Sequence, residues 1–387
     1  MNTREAVIVD AVRTPVGRRG GQLANWHPTD LLAHTLRHLV DRSGVDVRSL
    51  SDVITGCVLQ YGEQAGNISR WASLGAGLPE EIPATTIDRQ CGSGQQAIHF
   101  AAQAIRSGEY DFAIGAGVES MSRVDLGPLF NPSDGLGSWY GEMALARYNG
   151  NICAQGPSAE LIADKWGFTR ERLDAFSAES HRRAHAATEA GHLADQMVPL
   201  EGRDGPMTRD EGIRPHVDLV AMAALRPAFG ADGVLTGGNS SQISDGAAAV
   251  LLAERSAAEA AGLRPRAVIR AMAAAADDPV LQFTAILPAA RKALAAAGLT
   301  IEDIDRVEIN EAFSPVPLLF AHEFGINPDQ INVNGGSIAV GHPLGSTGAR
   351  MMTDLVNELE RSGGRYGLLT ICEGGGMANA TIIERIS

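Results

Sequence analysis

Two cysteines and one histidine carry the chemistry legible in this chain. Cys91 stands in Asp88-Arg-Gln-Cys-Gly-Ser-Gly-Gln-Gln-Ala, Cys372 in Ile371-Cys-Glu-Gly-Gly-Gly-Met, and His342 in Gly341-His-Pro-Leu-Gly-Ser-Thr-Gly. Glycine lacks a Cβ, so the backbone amides around it can approach a reacting atom closely. A thiol with a base in reach is an activated nucleophile. An imidazole titrating near neutrality is suited to taking the thiol proton. Together these residues predict covalent acyl transfer. The Cys-Gly-Ser-Gly spacing places Cys91 at a helix N-terminus, where free amides and the dipole are expected to lower the thiol pKa. Asn310, in Asn310-Glu-Ala-Phe after the expected buried strand Arg306-Val-Glu-Ile, offers an amide to hold a water or an oxyanion. Cys372 closes the run Gly367-Leu-Leu-Thr-Ile and offers a second thiol for proton transfer, with the Gly374 N–H beside it to polarise a carbonyl.

Each of these residues also has a structural reading: a buried cysteine in a tight turn, a helix-capping histidine, a turn-forming asparagine. The special backbone residues around all of them favour the chemical one. Other motifs carry less. Cys57 and Cys153 lack such surroundings and are read as structural. His181 and His185 have the i, i+4 spacing of a helical metal pair without the neighbouring glutamate of a metalloprotease box, and read as a solvated helix face. Gly115-Ala-Gly-Val-Glu-Ser lacks the third glycine of a dinucleotide loop. Arg214 can meet a phosphate or serve as a surface arginine.

The elements that must position these groups come in two similar sets. Shifting the sequence by 254 residues pairs Leu32 with Ile286, Arg37 with Arg291, Gly44 with Gly298 and Val53 with Val307. Each copy reads as an amphipathic helix, a glycine stop, a short polar link and an apolar strand. Ala6-Val-Ile-Val and Ala267-Val-Ile-Arg open the two halves. Cys91-Gly-Ser-Gly leads a helix to Gly108 and the strand Phe112-Ala-Ile-Gly; His342-Pro-Leu-Gly leads one to Gly363 and the strand ending at Cys372. The order β-α-β-α-β, twice, predicts an α/β fold from a duplicated unit. Residues 1–121 plus 243–266 form the first half and 267–387 the second. Residues 122–242 form an inserted loop domain, with a helical run from Ser158 to Gly191.

A net charge of −14 over 387 residues argues against nucleic acid and anionic membranes as partners. Four scattered cysteines fit neither a disulfide scaffold nor zinc-ligand spacing, which suggests a reducing compartment. Without a signal pattern or a membrane-length apolar run, a cytoplasmic location is expected.

Nearly end to end, the chain resembles the thiolases, on Cys91-Gly-Ser-Gly, Asn310-Glu-Ala-Phe, Gly341-His-Pro-Leu-Gly and Cys372-Glu-Gly-Gly-Gly. Gly237-Gly-Asn-Ser-Ser-Gln-Ile-Ser-Asp-Gly-Ala and Glu211-Gly-Ile-Arg-Pro are similar to the degradative branch, 3-ketoacyl-CoA thiolase, including actinobacterial steroid-degrading members. The resemblance implies a thiolase fold with a five-layer αβαβα core. It also implies coenzyme A as co-substrate with no permanently bound cofactor or metal, homodimers or homotetramers, and β-oxidation enzymes as partners. Catalytic roles are implied for Cys91, His342, Cys372 and Asn310. Oxyanion sites are implied from Cys91 with Gly374 and from His342 with Asn310. Coenzyme A contacts are implied for Ser241 and Arg214. Two methionines that line the family's acyl pocket are replaced by Gln155 and Gln282, and a glycine by Phe283. The biosynthetic branch's histidine beside the first of these is Ala154 here. These changes suggest a bulkier acyl group, such as a steroid side chain. Glu373 stands where the family is apolar, and would raise the Cys372 pKa if it faces the site. A biosynthetic acetoacetyl-CoA thiolase, a ketosynthase-like enzyme and a non-catalytic thiolase-fold protein are the alternative readings.

Overall fold

The computed structural model describes residues 4–127, 140–152 and 154–386; Cys153 lies outside them. In chain order the strands are β1 (Ala6–Arg13), β2 (Gly17–Arg18), β3 (Leu50–Gly56), β4 (Ala84–Ile87), β5 (Phe112–Ser120), β6 (Leu200–Gly202), β7 (Gly205–Met207), β8 (Ser244–Glu254), β9 (Ala267–Ala276), β10 (Arg306–Ile309), β11 (Tyr366–Glu373) and β12 (Met377–Arg385). The duplication is written into the pairing. β3 runs parallel to β5, β5 antiparallel to β8, and β8 antiparallel to β1. In the second set β10 runs parallel to β11, β11 antiparallel to β12, and β12 antiparallel to β9. The sets join through Val7 opposite Val268 and Ile8 opposite Ala267, giving the path β10-β11-β12-β9-β1-β8-β5-β3-β4. β6 and β7 form a separate hairpin.

The expected helix stops occur at Gly44, Gly108, Gly298 and Gly363, all left-handed, with φ of 69°, 90°, 69° and 72°. β12 was not anticipated, because its Met-Ala-Asn-Ala start lacks a β-branched run. The helical run beyond Ser158 divides in two, Gln155–Trp166 and Arg170–Glu189, at left-handed Gly167. Thr169 caps the second helix by accepting from the Arg172 N–H.

Five layers follow from where the strands send alternate side chains. Leu251 joins an outer core with Leu31 and Leu36 of helix Pro28–Ser43, while its neighbours Val250 and Leu252 face the opposite way. There they meet Ile98 and Ala101 of helix Ser93–Ser107 and Met352 and Leu355 of helix Thr347–Ser362, which pack against each other as the central layer. Helices Ile286–Ala297 and Pro315–Phe324 cover the far side with Leu368 and Ile382. Among the described residues no helix is long and apolar enough to cross a membrane.

The central helix Thr347–Ser362 is buried on most of its surface, charged residues included. Arg350 pairs with Asp354 at 2.7 Å, and Asp354 with Arg13 of β1 at 2.9 Å. Arg13 reaches Asp210 at 2.7 Å, and Asp210 also accepts the Val16 N–H at 2.8 Å. Burial opposes the Arg13 charge, but the two carboxylates outweigh it and hold the guanidinium pKa above its usual value. Arg13→Ala is expected to cost about 3–5 kcal/mol in urea unfolding, because two carboxylates lose their buried partner. A loss under about 1 kcal/mol would contradict this reading of the junction.

Candidate active site

The turn leading to Cys91 is held in an uncommon conformation. Gln90 has φ +48°, a left-handed value that costs a residue with a Cβ about 1–2 kcal/mol. Side chains brace it: Asp88 accepts the Gln90 N–H at 2.7 Å, and the Ser93 hydroxyl donates to the Gln90 carbonyl while accepting the Arg89 N–H at 2.8 Å. The following helix begins at Ser93 with Gly92 as its cap, so Cys91 precedes the cap. The expected lowering of the thiol pKa is therefore corrected. Cys91 is 4% exposed, and burial, aided by Glu373, pushes its thiol up to about 12. The helix dipole fades beyond the first turn and does not offset the lost hydration.

His342 lies on the second glycine-lined turn. Gly341 adopts φ +117°, and a side chain there would strike Ser244 and Val16. The imidazole tautomer follows from its partners. The Thr347 hydroxyl donates to the Pro343 carbonyl at 2.8 Å, so at 2.7 Å it accepts from His342 Nδ1–H. Nε2 is then the bare nitrogen, and Asn310 Nδ2 donates to it at 3.3 Å. Asn310 is oriented in turn: its Oδ1 accepts from Ser337 Oγ at 2.7 Å, which accepts from Arg350 at 3.1 Å. Burial, aided by Arg350, lowers the His342 pKa to about 3, so the ring is a neutral base rather than one titrating near neutrality.

Cys372 is fully buried beside Cys91, and the Asn310 amide reaches it. Burial and the neighbouring sulfur raise its pKa well above the ordinary thiol range. The structure thus brings Cys91, Cys372, Asn310 and His342 into one chain of neighbours. Glu373 is fully buried against Gly92, and neither carboxyl oxygen has a hydrogen-bond partner among the described residues. Burial pushes its own pKa well above the carboxylate range, against the pull of Arg89. It faces the nucleophile turn, where its negative charge opposes ionisation of both thiols.

Two cavities meet here. One, of about 250 Å³, is lined by Cys91, Gly374, Gln90, Gln155, Gln282 and apolar residues including Leu126, Ile152 and Met377. The other, of about 400 Å³, is lined by His342, Ser241, Phe229, Phe313 and Ile243. Leu126, Ala154, Gln155 and Leu344 line both. Gln282 occupies a strained γ-turn, φ +54° and ψ −56°, closed by the Phe283 N–H on the Leu281 carbonyl. Its amide donates to Ser158 at 2.9 Å and accepts the Gly375 N–H at 3.2 Å, anchoring the glycine loop that carries Gly374. Phe283 lines neither cavity; it is buried edge-on behind Phe313 at 5.7 Å, which corrects its expected place in the pocket wall. Arg214 is exposed and also lines neither. His181 is buried, not solvated, and accepts the Arg214 N–H on Nδ1.

Sequence reasoning missed Thr347, Ser337 and Glu311. Glu311 accepts from Ser180, Asn332 and the Ile338 N–H, tying the His342 loop to helix Arg170–Glu189. The available signal was a hydroxyl five residues after His342 and a carboxylate beside Asn310 in a buried segment. Because resting Cys91 is a protonated thiol, its alkylation by iodoacetamide is expected to rise about tenfold per pH unit from neutrality to roughly pH 10, following the thiolate fraction. A plateau near pH 8.5 in Cys91 peptide mass measurements would contradict the burial argument.

The thiolase N-terminal domain family matches residues 6–256 and the thiolase C-terminal domain family residues 263–385. A Mycobacterium tuberculosis protein named steroid 3-ketoacyl-CoA thiolase FadA6 is 50% identical over 386 residues, covering 99% of this chain and 94% of its own. Proteins named 3-ketoacyl-CoA thiolase from Erwinia tasmaniensis and Serratia proteamaculans are 44% and 43% identical, covering 99% and 98% of this chain and 100% and 99% of theirs.

Proposed function

This chain belongs to the thiolase family of acyltransferases, and on that premise we propose that it cleaves 3-ketoacyl-CoA by thiolysis through an acyl thioester on Cys91. The observation that carries the reading is the bare Nε2 of His342, joined through Asn310 and Cys372 to Cys91. Both resting partners are neutral, so the thiolate forms when substrate is in place. His342 Nε2 takes the Cys91 proton, and the sulfur attacks the C3 keto carbon. The C2–C3 bond breaks, its electron pair leaves on C2 as the enolate of acetyl-CoA (or propionyl-CoA), and Cys372 protonates it. Coenzyme A, deprotonated by the Cys372 thiolate, then takes the shortened acyl group from Cys91, whose sulfur regains its proton from His342. The N–H groups of Cys91 and Gly374 hold one oxyanion; protonated His342 and a water on Asn310 hold the other.

The 400 Å³ cavity, with Ser241 at its wall, suits the slim pantetheine arm of coenzyme A. Exposed Arg214 is proposed to meet a phosphate at its outer end. Dimeric or tetrameric assembly in the cytoplasm belongs to the same reading. Gln155 and Gln282 in place of the family's methionines, and the relative named for steroids, support an acyl group larger than acetoacetyl. A thiolysis panel of 3-ketoacyl-CoAs of rising size, ending with a ring-bearing one, tests this. The expected optimum lies at the large end; a strong preference for acetoacetyl-CoA overturns the substrate assignment.

A further inference from the structure

We infer that Gln155 is a catalytic donor in this site, its Nε2–H group stabilising the Cys91 thiolate as the proton leaves. The inference rests on the proposed role of Cys91. Four residues line both cavities, and Gln155 is the polar one among Leu126, Ala154 and Leu344. It therefore stands where an acyl-CoA passes from the coenzyme channel to the nucleophile. It opens helix Gln155–Trp166, and its buried Nε2 makes no formed hydrogen bond to any described residue. Gln282 provides the contrast, since its amide is used at both ends.

Gln155 and Cys91 line the same cavity of about 250 Å³, and the Gln155 amide lies close enough to the sulfur to favour its thiolate over its thiol. A neutral thiol is a weak acceptor, whereas a thiolate accepts strongly. A donor left waiting beside the thiol thus binds the charged state more tightly than the resting state, which is the condition for acceleration. Desolvation and Glu373 both oppose the Cys91 thiolate here, and Gln155 acts against them. A methionine at this position could not donate.

The test compares Gln155→Met and Gln155→Leu with the wild-type protein. Cys91 alkylation by iodoacetamide is followed against pH, together with kcat and KM for a 3-ketoacyl-CoA. Both variants are expected to alkylate about tenfold more slowly at a given pH, the loss of one charge-assisted hydrogen bond, with kcat falling and KM changing less than threefold. Equal alkylation across pH, with altered acyl-size preference alone, overturns the inference and leaves Gln155 as pocket wall. Should Gln155→Met fail to fold, Gln155→Leu decides the matter, since it is of similar size, carries no charge and cannot donate. Acylation of wild-type Cys91, read by mass, separately tests the function; its failure leaves the alkylation comparison intact.

Discussion

Cys91→Ala is expected to abolish thiolysis, with kcat falling on the order of a hundred-thousandfold or more, as when the nucleophile of a concerted catalytic set is removed. No other group can take its place. Cys372 is fully buried at the end of β11, with its thiol held protonated beside Cys91, and Cys57 is occupied by Glu119 on another wall of the core. Removing one sulfur from a small turn leaves Gln90 braced by Asp88 and Ser93, so the fold should persist. The measurement pairs thiolysis rate with intact mass after mixing with a 3-ketoacyl-CoA. Wild type should gain one acyl group on the Cys91 peptide and the variant none. Residual turnover within a hundredfold of wild type would mean that the acyl group never rests on this sulfur.

His342→Ala is expected to lower kcat by about a thousandfold, the range of a positioned general base. The loss should be selective. Resting Cys91 owes its protonated state to burial and Glu373, not to an ion pair with the imidazole. Iodoacetamide should therefore alkylate the variant within about threefold of wild type while acyl transfer collapses. A parallel fall in both would show a resting thiolate–imidazolium pair, contrary to the neutral ring described above. Because the His342 pKa lies at about 3 in the ligand-free enzyme, wild-type kcat/KM should show no acid limb near pH 6.5 from this group. Its proton is absent across that range in the ligand-free enzyme.

Motif residues were legible because chemistry restricts their type, and helix ends because glycine marks them. Gly44, Gly108, Gly298 and Gly363 stop helices where their spacing indicated. Tertiary burial was not legible. The Cys91 and His342 pKa values are set by layers drawn from distant segments, so a local argument from the helix dipole misjudged the thiol. The family resemblance implies a pocket place for Phe283, where the family has glycine, but the γ-turn at Gln282 rotates its neighbour into the core. Nothing in the letters Asn332 or Ser337 distinguishes a brace from an ordinary loop residue. Their roles appear only once Ser337 lies against Asn310 and Asn332 against Ile309 and Glu311.

The imidazole takes its orientation from the far end of the polypeptide, through Thr347 and, by way of Ser337 and Asn310, Arg350. The sulfur it serves is translated much earlier. A nascent chain released before helix Thr347–Ser362 would carry the sulfur without an oriented base, so acyl transfer to Cys91 awaits that later segment.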